Sequence, residues 1–340
     1  MIKLSICIPN YNRGAFIGET LQSAVDQAGA EVEIVISDNA STDNSLEVIA
    51  AFARRYPNIK YHRVEKNAGF DRNVLKVVEL ASGEYCWFLG SDDRLEPGAV
   101  QAVLAALATY PDLGGMSLGY VPYDRELRRP GVAWNPTLGR YDREVLFQDA
   151  NECFSVLGHY FGFFSAQVVN RQIWREIFQT GVWEKYCAGF VHVFMIGSVL
   201  QQRPRWLFLP RICVGWRGGN DQLLQSVGFY ERLRFDLEGC SQVFAALLGK
   251  NTRVYDKIMS TGAAVHTSAM VLNARLNNID FKMRIKLAGL CWRYYGRYWP
   301  FWTNIIPILI APVPLLRILR QLVRGYKKVR WSPLNGDPAL

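Results

Sequence analysis

Two adjacent carboxylates, Asp92 and Asp93, are the sequence feature that most directly suggests chemistry. They follow the apolar run 85–89, which predicts a short buried strand. Two carboxylates side by side at a strand end repel each other unless a cation or hydrogen-bond donors compensate their charge. A divalent cation that bridges them to a diphosphate is one solution, because carboxylate oxygens suit Mg²⁺ or Mn²⁺. The other interpretation is a plain turn, for which segment 91–94 also has suitable residues.

Short apolar runs alternate with amphipathic segments through the first 110 residues. Strands are predicted at 3–8, 32–37, 59–64 and 85–89, and helices at 16–28, 44–56, 70–81 and 97–109. This alternation predicts an α/β fold, with a mostly parallel, Rossmann-like sheet covered by helices on both faces. The chain has neither a G-x-G-x-x-G nor a G-x-x-x-x-G-K-[ST] motif, which argues against dinucleotide-binding and P-loop folds.

Polar clusters follow all four predicted strands, at the edge where such sheets bind ligands. They are Pro9-Asn10-Tyr11-Asn12, Asp38-Asn39, Asn67-Ala68-Gly69 and Ser91-Asp92-Asp93. In this order, and within the segments 5–12, 34–43, 67–73, 83–85 and 91–93, these motifs resemble the family 2 glycosyltransferases of GT-A fold. Within these segments, the amino-acid sequence is most similar to that of bacterial O-antigen enzymes of the abequosyltransferase type. The resemblance covers about one third of the chain.

The resemblance implies that a nucleotide-sugar donor binds over the first of these motifs. Pro9 and Tyr11 would flank the nucleobase, with the Tyr11 ring stacked on it, and Asp38 would accept a hydrogen bond from it. Asn67 and Arg72 belong to the same site, with Arg72 near the base or the diphosphate. An aromatic platform with one fixed polar group suits this task. The other interpretation makes Tyr11 a core aromatic residue and Asp38 a helix cap.

The resemblance also implies a divalent metal, Mn²⁺ or Mg²⁺, at the diphosphate. Asp93 would ligate the cation, and Asp92 would hold the ribose or the metal side. Arg217 lies in the Gly-containing segment 216–221, where a flexible loop would close on the diphosphate. A surface turn is the alternative for that segment.

The mechanism implied is a single displacement with inversion, in which a general base takes the proton of the acceptor hydroxyl. The family's usual base is an Asp or Glu at the start of a helix, but the matching segment 189–192 ends in His192. Imidazole titrates in a suitable range, so His192 is the candidate catalytic base. The alternative is a buried histidine on an apolar helix. Glu184 and Asp221 are the other candidate bases.

The pattern predicts two regions. A GT-A catalytic domain is expected at 1–225, with a nucleotide-sugar half at 1–110 and an acceptor half at 111–225. A helical C-terminal region is expected at 226–340, with a basic, amphipathic, membrane-associating tail at about 280–330.

The net charge of +9 lies in the tail. Residues 280–340 contain eleven Lys and Arg against two Asp and Glu, and the rest of the chain is neutral. This argues against a general nucleic-acid binder and for one local anionic partner. Two basic sets each share a helical face beside aromatic or aliphatic residues: Lys282, Lys286, Arg293 and Arg297, then Arg317, Arg320, Arg324 and Lys327 or Lys328. Such faces predict helices on an anionic membrane surface, and packing on the catalytic domain or a dimer contact is the alternative.

The uncharged stretch 298–316 is long enough to span a bilayer, but Pro300, Pro307, Pro312 and Pro314 should break its helix. The N-terminal segment predicts a strand and not a signal peptide, and the seven scattered cysteines, without a CxxC pair, fit a reducing compartment. We therefore expect a cytoplasmic enzyme, peripheral on the inner face of the cell membrane, whose glycan acceptor is carried on a polyprenyl lipid.

Two other functions are possible on a related fold. A nucleotidyltransferase of related fold would begin with a Gly-rich, Arg- and Lys-containing loop, which segment 9–14 lacks. A non-catalytic nucleotide-sugar-binding or scaffold protein is suggested by the missing acidic base, whereas Asp93 favours an enzyme of O-antigen, lipopolysaccharide or other surface-polysaccharide synthesis.

Overall fold

A computed structural model of the chain describes residues 2–131 and 142–330. The strands are β1 (Leu4–Asn10), β2 (Val32–Asp38), β3 (Ile59–Arg63), β4 (Tyr85–Phe88), β5 (Arg94–Leu95), β6 (Gly115–Tyr123), β7 (Val145–Phe147), β8 (Gln167–Asn170) and β9 (Trp206–Arg217). The helices are α1 (Gly14–Val25), α2 (Ser45–Arg55), α3 (Phe70–Leu80), α4 (Ala99–Thr109), α5 (Ala150–Leu157), α6 (Arg171–Gln179), α7 (Val191–Gln202), α8 (Gln222–Leu248), α9 (Arg253–Thr261), α10 (Ser268–Leu276), α11 (Phe281–Tyr295), α12 (Ile306–Ile310) and α13 (Val313–Arg330).

Within the described ranges, the nine strands form one mixed sheet. Its order is β3-β2-β1-β4-β8-β6-β9-β5, and β7 also pairs with β9. Strands β3, β2, β1 and β4 are mutually parallel, β8 is antiparallel to β4 and β6, and β6 is parallel to β9. The predicted α/β fold is confirmed, and the four strands expected in the first 110 residues form its parallel part.

Strands β1 and β2 are buried along their whole length, which explains their nearly continuous apolar sequences. Glu33, the second residue of β2, is a charged side chain within this buried region. Its carboxylate accepts hydrogen bonds from the Ser5 hydroxyl at 2.6 Å and from the N–H and hydroxyl of Ser82 at 2.6 and 2.8 Å, and Lys60 Nζ lies 2.7 Å away. Burial raises the pKa of Glu33, but these donors outweigh it and lower the pKa to about 2. Glu33 therefore joins three neighbouring strands as a carboxylate.

The chain divides into two compact units. The first comprises Met1–Asp221 and Glu238–Ile258 and contains the whole sheet, and the second comprises Gln222–Leu237 and Met259–Leu340. The described part of the second unit is helical, as expected for the C-terminal region. The roles assigned to the two halves of the first region and to the tail stay predictions.

Two arginines stabilise the second unit from within. Arg275 is buried and donates to the carbonyl of Ile308 at 3.2 Å and to that of Ala311 at 2.6 Å, and Arg284 donates to the carbonyl of Leu309 at 2.7 Å. These carbonyls lie at the C-terminal end of α12, where they have no partner within the helix.

The helix is interrupted between α12 and α13. Ala311 is extended there, as expected before Pro312. Among the described residues, no helix is both long enough and apolar enough to cross a membrane.

Candidate active site

The C-terminal ends of β2, β1 and β4 are neighbours in the sheet, so the polar residues after them share one edge. Tyr11 follows β1 and is 37% exposed, whereas Pro9 is buried within β1 beside Ser37. An exposed ring over a buried strand end is suited to stacking. The contact of Pro9 and Tyr11 with a nucleobase stays a prediction.

Asp38, the last residue of β2, has no exposed surface. Its carboxylate accepts hydrogen bonds from Asn10 Nδ2 at 2.8 Å and from the hydroxyl and N–H of Ser41 at 2.5 and 3.1 Å, and Arg63 Nε lies 3.7 Å away. Asp38 therefore fixes the loops after β1 and β2. A hydrogen bond between this carboxylate and a base requires one of these neighbours to move.

Asn39 joins the second polar cluster to the third. Its Nδ2 donates to Asn67 Oδ1 at 2.9 Å and to the carbonyl of Gly69 at 3.1 Å, and its Oδ1 accepts from the N–H of Ala68 at 2.9 Å. Asn67 itself is exposed at the predicted donor edge. Gly69 has a φ of +85°, a conformation that favours glycine, and the chain turns there into α3.

Asp71, in the first turn of α3, caps a different helix. Its buried carboxylate accepts hydrogen bonds from the N–H groups of Gly189 at 2.5 Å and of Val191 at 3.1 Å, at the start of α7. Burial raises the pKa of Asp71, and these two donors oppose the rise. A carboxylate therefore does stand at the start of α7, as in the family pattern, but it comes from α3.

Arg72 contacts the segment that precedes α7. Its guanidinium lies 4.8 Å from the centre of the Trp183 ring and 3.8 Å from the Glu184 carboxylate. The predicted donor contact Arg72 and the candidate base Glu184 therefore face each other, both half-exposed or more. Asp221, the remaining candidate, is exposed just before α8.

The two central carboxylates each receive donors from distant parts of the chain. Asp92 Oδ2 accepts from Asn220 Nδ2 at 2.7 Å, and Arg13 Nη2 lies 3.5 Å away. Asp93 Oδ1 accepts from the N–H of Arg217 at 3.0 Å, and its Oδ2 accepts from the Ser165 hydroxyl at 2.5 Å. Burial, and then repulsion from Asp92, raise the pKa of Asp93 to about 7, and burial also raises the pKa of Asp92.

Three oxygens converge beside Gly90, directly after β4. A Cβ placed on Gly90 would lie 2.9 Å from Asp93 Oδ2 and 3.2 Å from both Asp92 Oδ1 and Ser165 Oγ. Hard oxygen donors around one small space suit Mg²⁺ or Mn²⁺, and a cation there would offset the repulsion between the two carboxylates. Within residues 2–131 and 142–330 no group of three or more His, Cys, Asp and Glu side chains forms a metal cage. A cation held by these residues would therefore take further oxygen ligands from a substrate or from water.

Arg217 ends β9 and is buried. Its guanidinium donates to the carbonyls of Asp92 at 2.6 Å and Arg125 at 2.5 Å and to Glu19 Oε2 at 2.6 Å, and it lies over the Phe16 ring. Arg217 thus holds both residues of the carboxylate pair, through its guanidinium at the Asp92 carbonyl and through its N–H at the Asp93 carboxylate. Its contact with a nucleotide sugar stays a prediction.

His192, the second residue of α7, is only 5% exposed. Aromatic rings surround it: the ring centres of Phe70, Phe164 and Phe190 lie 5.7, 6.2 and 6.3 Å away. Burial lowers its pKa to about 4, against a smaller opposing effect from the backbone of Gly162. Neither ring nitrogen makes a hydrogen bond of normal geometry to any of the described residues. A buried polar group without such a bond is uncommon and calls for an explanation.

Comparison with known proteins decides the family. The family described as Glycosyl transferase family 2 matches residues 5–168. Abequosyltransferase RfbV of Salmonella typhimurium is 33% identical over 235 residues, which are 64% of this chain and 67% of that protein. An uncharacterised glycosyltransferase, YibD of Escherichia coli, is 32% identical over 148 residues, 39% of this chain and 42% of that protein. The chain belongs to glycosyl transferase family 2. The predicted family and enzyme class are therefore confirmed.

Solved structures share the fold of this glycosyltransferase at low sequence identity. S. aureus TarS 1-349 in complex with UDP-GlcNAc is 15% identical with a TM-score of 0.60, over 96% of this chain and 90% of that one. The mannosyltransferase PcManGT from Pyrobaculum calidifontis, in complex with GDP-Man and Mn²⁺, is 15% identical with a TM-score of 0.54, over 97% and 88%. These likenesses confirm the predicted fold.

Sequence reasoning missed four residues that contact or border the two carboxylates. Arg13 directly follows the first polar cluster, so its place beside that cluster was a usable signal. Gly90 directly precedes the fourth cluster and Asn220 lies within segment 216–221, so their positions were usable signals as well. Ser165 carried no such signal, because a lone serine has many ordinary uses.

We predict that Gly90→Ala disrupts the carboxylate pair. Because its Cβ would lie 2.9 Å from Asp93 Oδ2, the carboxylates must shift, and a shift of about 1 Å costs on the order of 100-fold in rate. The rise in melting temperature on adding Mn²⁺ with UDP, CDP, GDP or dTDP should disappear. Gly29→Ala is the control, because its Cβ meets no atom within 4 Å. A wild-type response in Gly90→Ala would show that the three oxygens do not form the site.

Proposed function

We propose that this glycosyltransferase moves a sugar from a nucleoside-diphosphate sugar to a glycan hydroxyl, with inversion at the anomeric carbon. The observation that carries the proposal is the convergence of Asp92, Asp93 and Ser165 oxygens at the end of β4, beside the Arg13 guanidinium. Two proteins of the same fold, TarS and PcManGT, have been solved with UDP-GlcNAc and with GDP-Man and Mn²⁺, which supports a sugar-nucleotide donor.

The donor's base lies over the ends of β1 and β2 in this proposal. Tyr11 supplies the exposed stacking face, and Pro9 and Asp38 form the buried support beneath it. Asn67 borders the same edge from the third cluster. Arg72 and Arg217 are predicted donor contacts whose guanidinium groups already have protein partners, so both contribute by holding the surrounding segments in place.

Asp92 and Asp93 would hold a divalent cation, Mn²⁺ or Mg²⁺, at the diphosphate. When bound, the cation stabilises the negative charge of the departing nucleoside diphosphate. The protein's own part is orientation. Ser165 and the Arg217 N–H direct the two Asp93 oxygens, and Arg13 places a positive charge beside Asp92.

His192 is the proposed general base. Its lowered pKa keeps the ring neutral at pH 7 but weakens it as a base, so proton transfer requires an acceptor that relieves this burial. An acceptor hydroxyl would supply a hydrogen-bond partner for one of the two ring nitrogens, neither of which has one of normal geometry among the described residues. Phe70, which is 47% exposed and packs against the ring, is the side chain that must shift to admit it.

We predict that Asp93→Asn abolishes sugar transfer and metal-dependent nucleotide binding. The amide keeps the shape of the side chain but removes the charge that a cation requires. Calorimetry with Mn²⁺ and UDP, CDP, GDP or dTDP measures binding, and release of the nucleotide from the matching sugar donor measures activity. Asp26→Asn, an exposed position at the end of α1, should behave as wild type. Retained metal-dependent binding in Asp93→Asn would refute the proposed site.

We predict that His192→Phe lowers kcat by about 10²–10⁴ and leaves donor binding intact. The phenyl ring matches the aromatic surroundings, so the fold should persist, whereas the proton acceptor is lost. Transfer of radiolabelled sugar to a solvent-extracted lipid-linked glycan fraction measures the rate, and a thermal melt checks the fold. An unchanged kcat would show that His192 is a structural core residue and not the base, and Glu184 and Asp221 would remain as candidate bases.

Exposed side chains of the second unit support the proposal of a membrane-bound acceptor. The outward face of α11 carries two adjacent rows, one apolar and one basic. The apolar row is Phe281, Ile285 and Trp292, 68%, 57% and 55% exposed, and the basic row is Lys282, Lys286 and Arg293, all exposed. Side chains of both kinds on one helical face suit the interface of an anionic bilayer, where apolar groups insert and cations meet headgroups.

Further apolar side chains of the second unit are exposed. Trp299 is 76% exposed and Trp302 46%, and on α13 the exposed residues include Ile318 and Leu322. The predicted basic residues Arg324, Lys327 and Lys328 lie outside the described side chains. We infer that this unit binds the inner, cytoplasmic face of the cell membrane and that the acceptor is a glycan on a polyprenyl carrier. The similarity to an abequosyltransferase supports a place in O-antigen or other surface-polysaccharide synthesis.

We predict that changing Lys282, Lys286 and Arg293 together to Glu weakens binding to anionic vesicles by at least about 100-fold, because three attractive charges are lost and three repulsive ones are added. Each basic side chain near such a surface contributes about 1 kcal/mol. Co-sedimentation with phosphatidylglycerol–phosphatidylethanolamine vesicles measures it, with phosphatidylcholine vesicles for comparison.

The control for charge alone changes three exposed arginines of the first unit to Glu: Arg54, Arg55 and Arg175. This variant has the same net charge and should still bind. Equal binding by both triple variants would contradict a membrane-binding role for α11.

A further inference from the structure

An aromatic pair borders the carboxylate site on one side. Trp216, the penultimate residue of β9, is 43% exposed, and its ring centre lies 6.3 Å from that of Phe163. The Phe163 ring in turn packs on Tyr120 of β6 at 4.1 Å. A half-exposed tryptophan with its back held by other rings presents a rigid apolar face to solvent.

Both rings are tied to Asp93 through the backbone. Trp216 precedes Arg217, whose N–H donates to Asp93 Oδ1 at 3.0 Å, and Phe163 lies two residues before Ser165, whose hydroxyl donates to Asp93 Oδ2 at 2.5 Å. Each ring is therefore only one or two residues from a group that touches the same carboxylate.

Ser165 is itself fixed. Its carbonyl accepts from Trp87 Nε1 at 2.9 Å, and its hydroxyl oxygen accepts from the Gly90 N–H at 2.9 Å. Because Ser165 is held in this way at the end of β4, the nearby aromatic pair is held there as well.

The sheet order separates this pair from the nucleotide end. The proposed contacts with the nucleobase, Pro9, Tyr11 and Asp38, lie at the ends of β1 and β2, on one side of β4. Trp216 lies on β9, next to Arg217, and Phe163 precedes β8, both on the other side of β4. A ligand ring stacked on Trp216 would therefore lie on the opposite side of the Asp92–Asp93 pair from the nucleobase. That is where the acceptor of a displacement reaction must approach.

We propose that Trp216 and Phe163 form a subsite for a pyranose ring of the acceptor. The ring's C–H face stacks on the indole, and its hydroxyls remain at the carboxylate side. This inference rests on the proposed function, because it assigns the acceptor end of the same site. Stacking on an aromatic face selects ring shape and orientation, while the adjacent Ser165–Asp93 pair fixes the distance to the reacting centre.

The test uses methyl pyranosides of glucose, galactose, mannose and rhamnose as probes, at millimolar concentration with the full-length protein. Saturation-transfer NMR should show contact at the C–H protons of at least one of them. Trp216→Ala should weaken its binding about 10-fold or more, and Trp216→Phe should retain part of it, because a smaller ring still stacks. Trp216→Leu keeps apolar bulk without a ring and should not rescue.

Tyr61→Ala is the matched control, since Tyr61 is 45% exposed on β3, at the other end of the sheet. Absence of pyranoside binding, or equal binding by wild type and Trp216→Ala, overturns the proposal. A second arm repeats the titration with UDP-N-acetylglucosamine or GDP-mannose, whichever stabilises the protein more. Binding that persists identifies the acceptor end, whereas displacement places the pyranoside in the donor-sugar position and also overturns the proposal.

Nucleotide binding by Asp93→Asn decides the proposed function separately. Metal-dependent nucleotide binding depends on the charge of the Asp93 carboxylate, which this variant removes. Pyranoside binding depends on the Trp216 ring, which this variant leaves in place. Failure of one is therefore distinguishable from failure of the other.

Discussion

The centre of this protein contains two consecutive carboxylates, Asp92 and Asp93, and their mutual repulsion must be offset by their surroundings. Asp92 and Asp93 are both largely withdrawn from water, so burial raises the pKa of each carboxyl group, and repulsion from Asp92 raises that of Asp93 further. Different groups stabilise each carboxylate. Arg13 and Asn220 contact Asp92, and the Ser165 hydroxyl and the Arg217 N–H donate hydrogen bonds to Asp93. Both carboxylates also approach Gly90 closely, which is possible because that residue has no side chain.

The first turn of α3 links the two ends of the site. Asn39 holds the loop before α3 through Asn67 and Gly69, at the edge proposed for the donor. The next residues, Asp71 and Arg72, hold the start of α7 and the segment before it. A single turn of helix thus connects the nucleotide edge with the surroundings of His192, so a disturbance of that turn reaches both ends.

The basic tail shows why charge counts alone do not describe a surface. Arg284 contributes to the net charge of the tail but donates to a helix-end carbonyl within the second unit. Lys282, Lys286 and Arg293 are exposed on α11 beside apolar side chains. Arg284 therefore stabilises the second unit, whereas the other three cations are exposed to solvent, as the proposed membrane contact requires.

The sequence by itself determined the parallel half of the sheet, its helices and the strand-end position of Asp92 and Asp93. Hydrophobic periodicity, turn residues and motif order are local properties, so they can be recognised without the fold. The partners of the carboxylates could not be recognised in this way, because Ser165 is 72 residues from Asp93 and Asn220 is 128 residues from Asp92.

Only the tertiary structure decided those pairings, through the sheet order that places β8 and β9 beyond β4. It also decided that Arg72 faces Glu184, that Asp71 caps α7, and that His192 is enclosed by aromatic rings. Burial and long-range hydrogen bonds depend on which strands become neighbours, and that is a property of the whole packed chain.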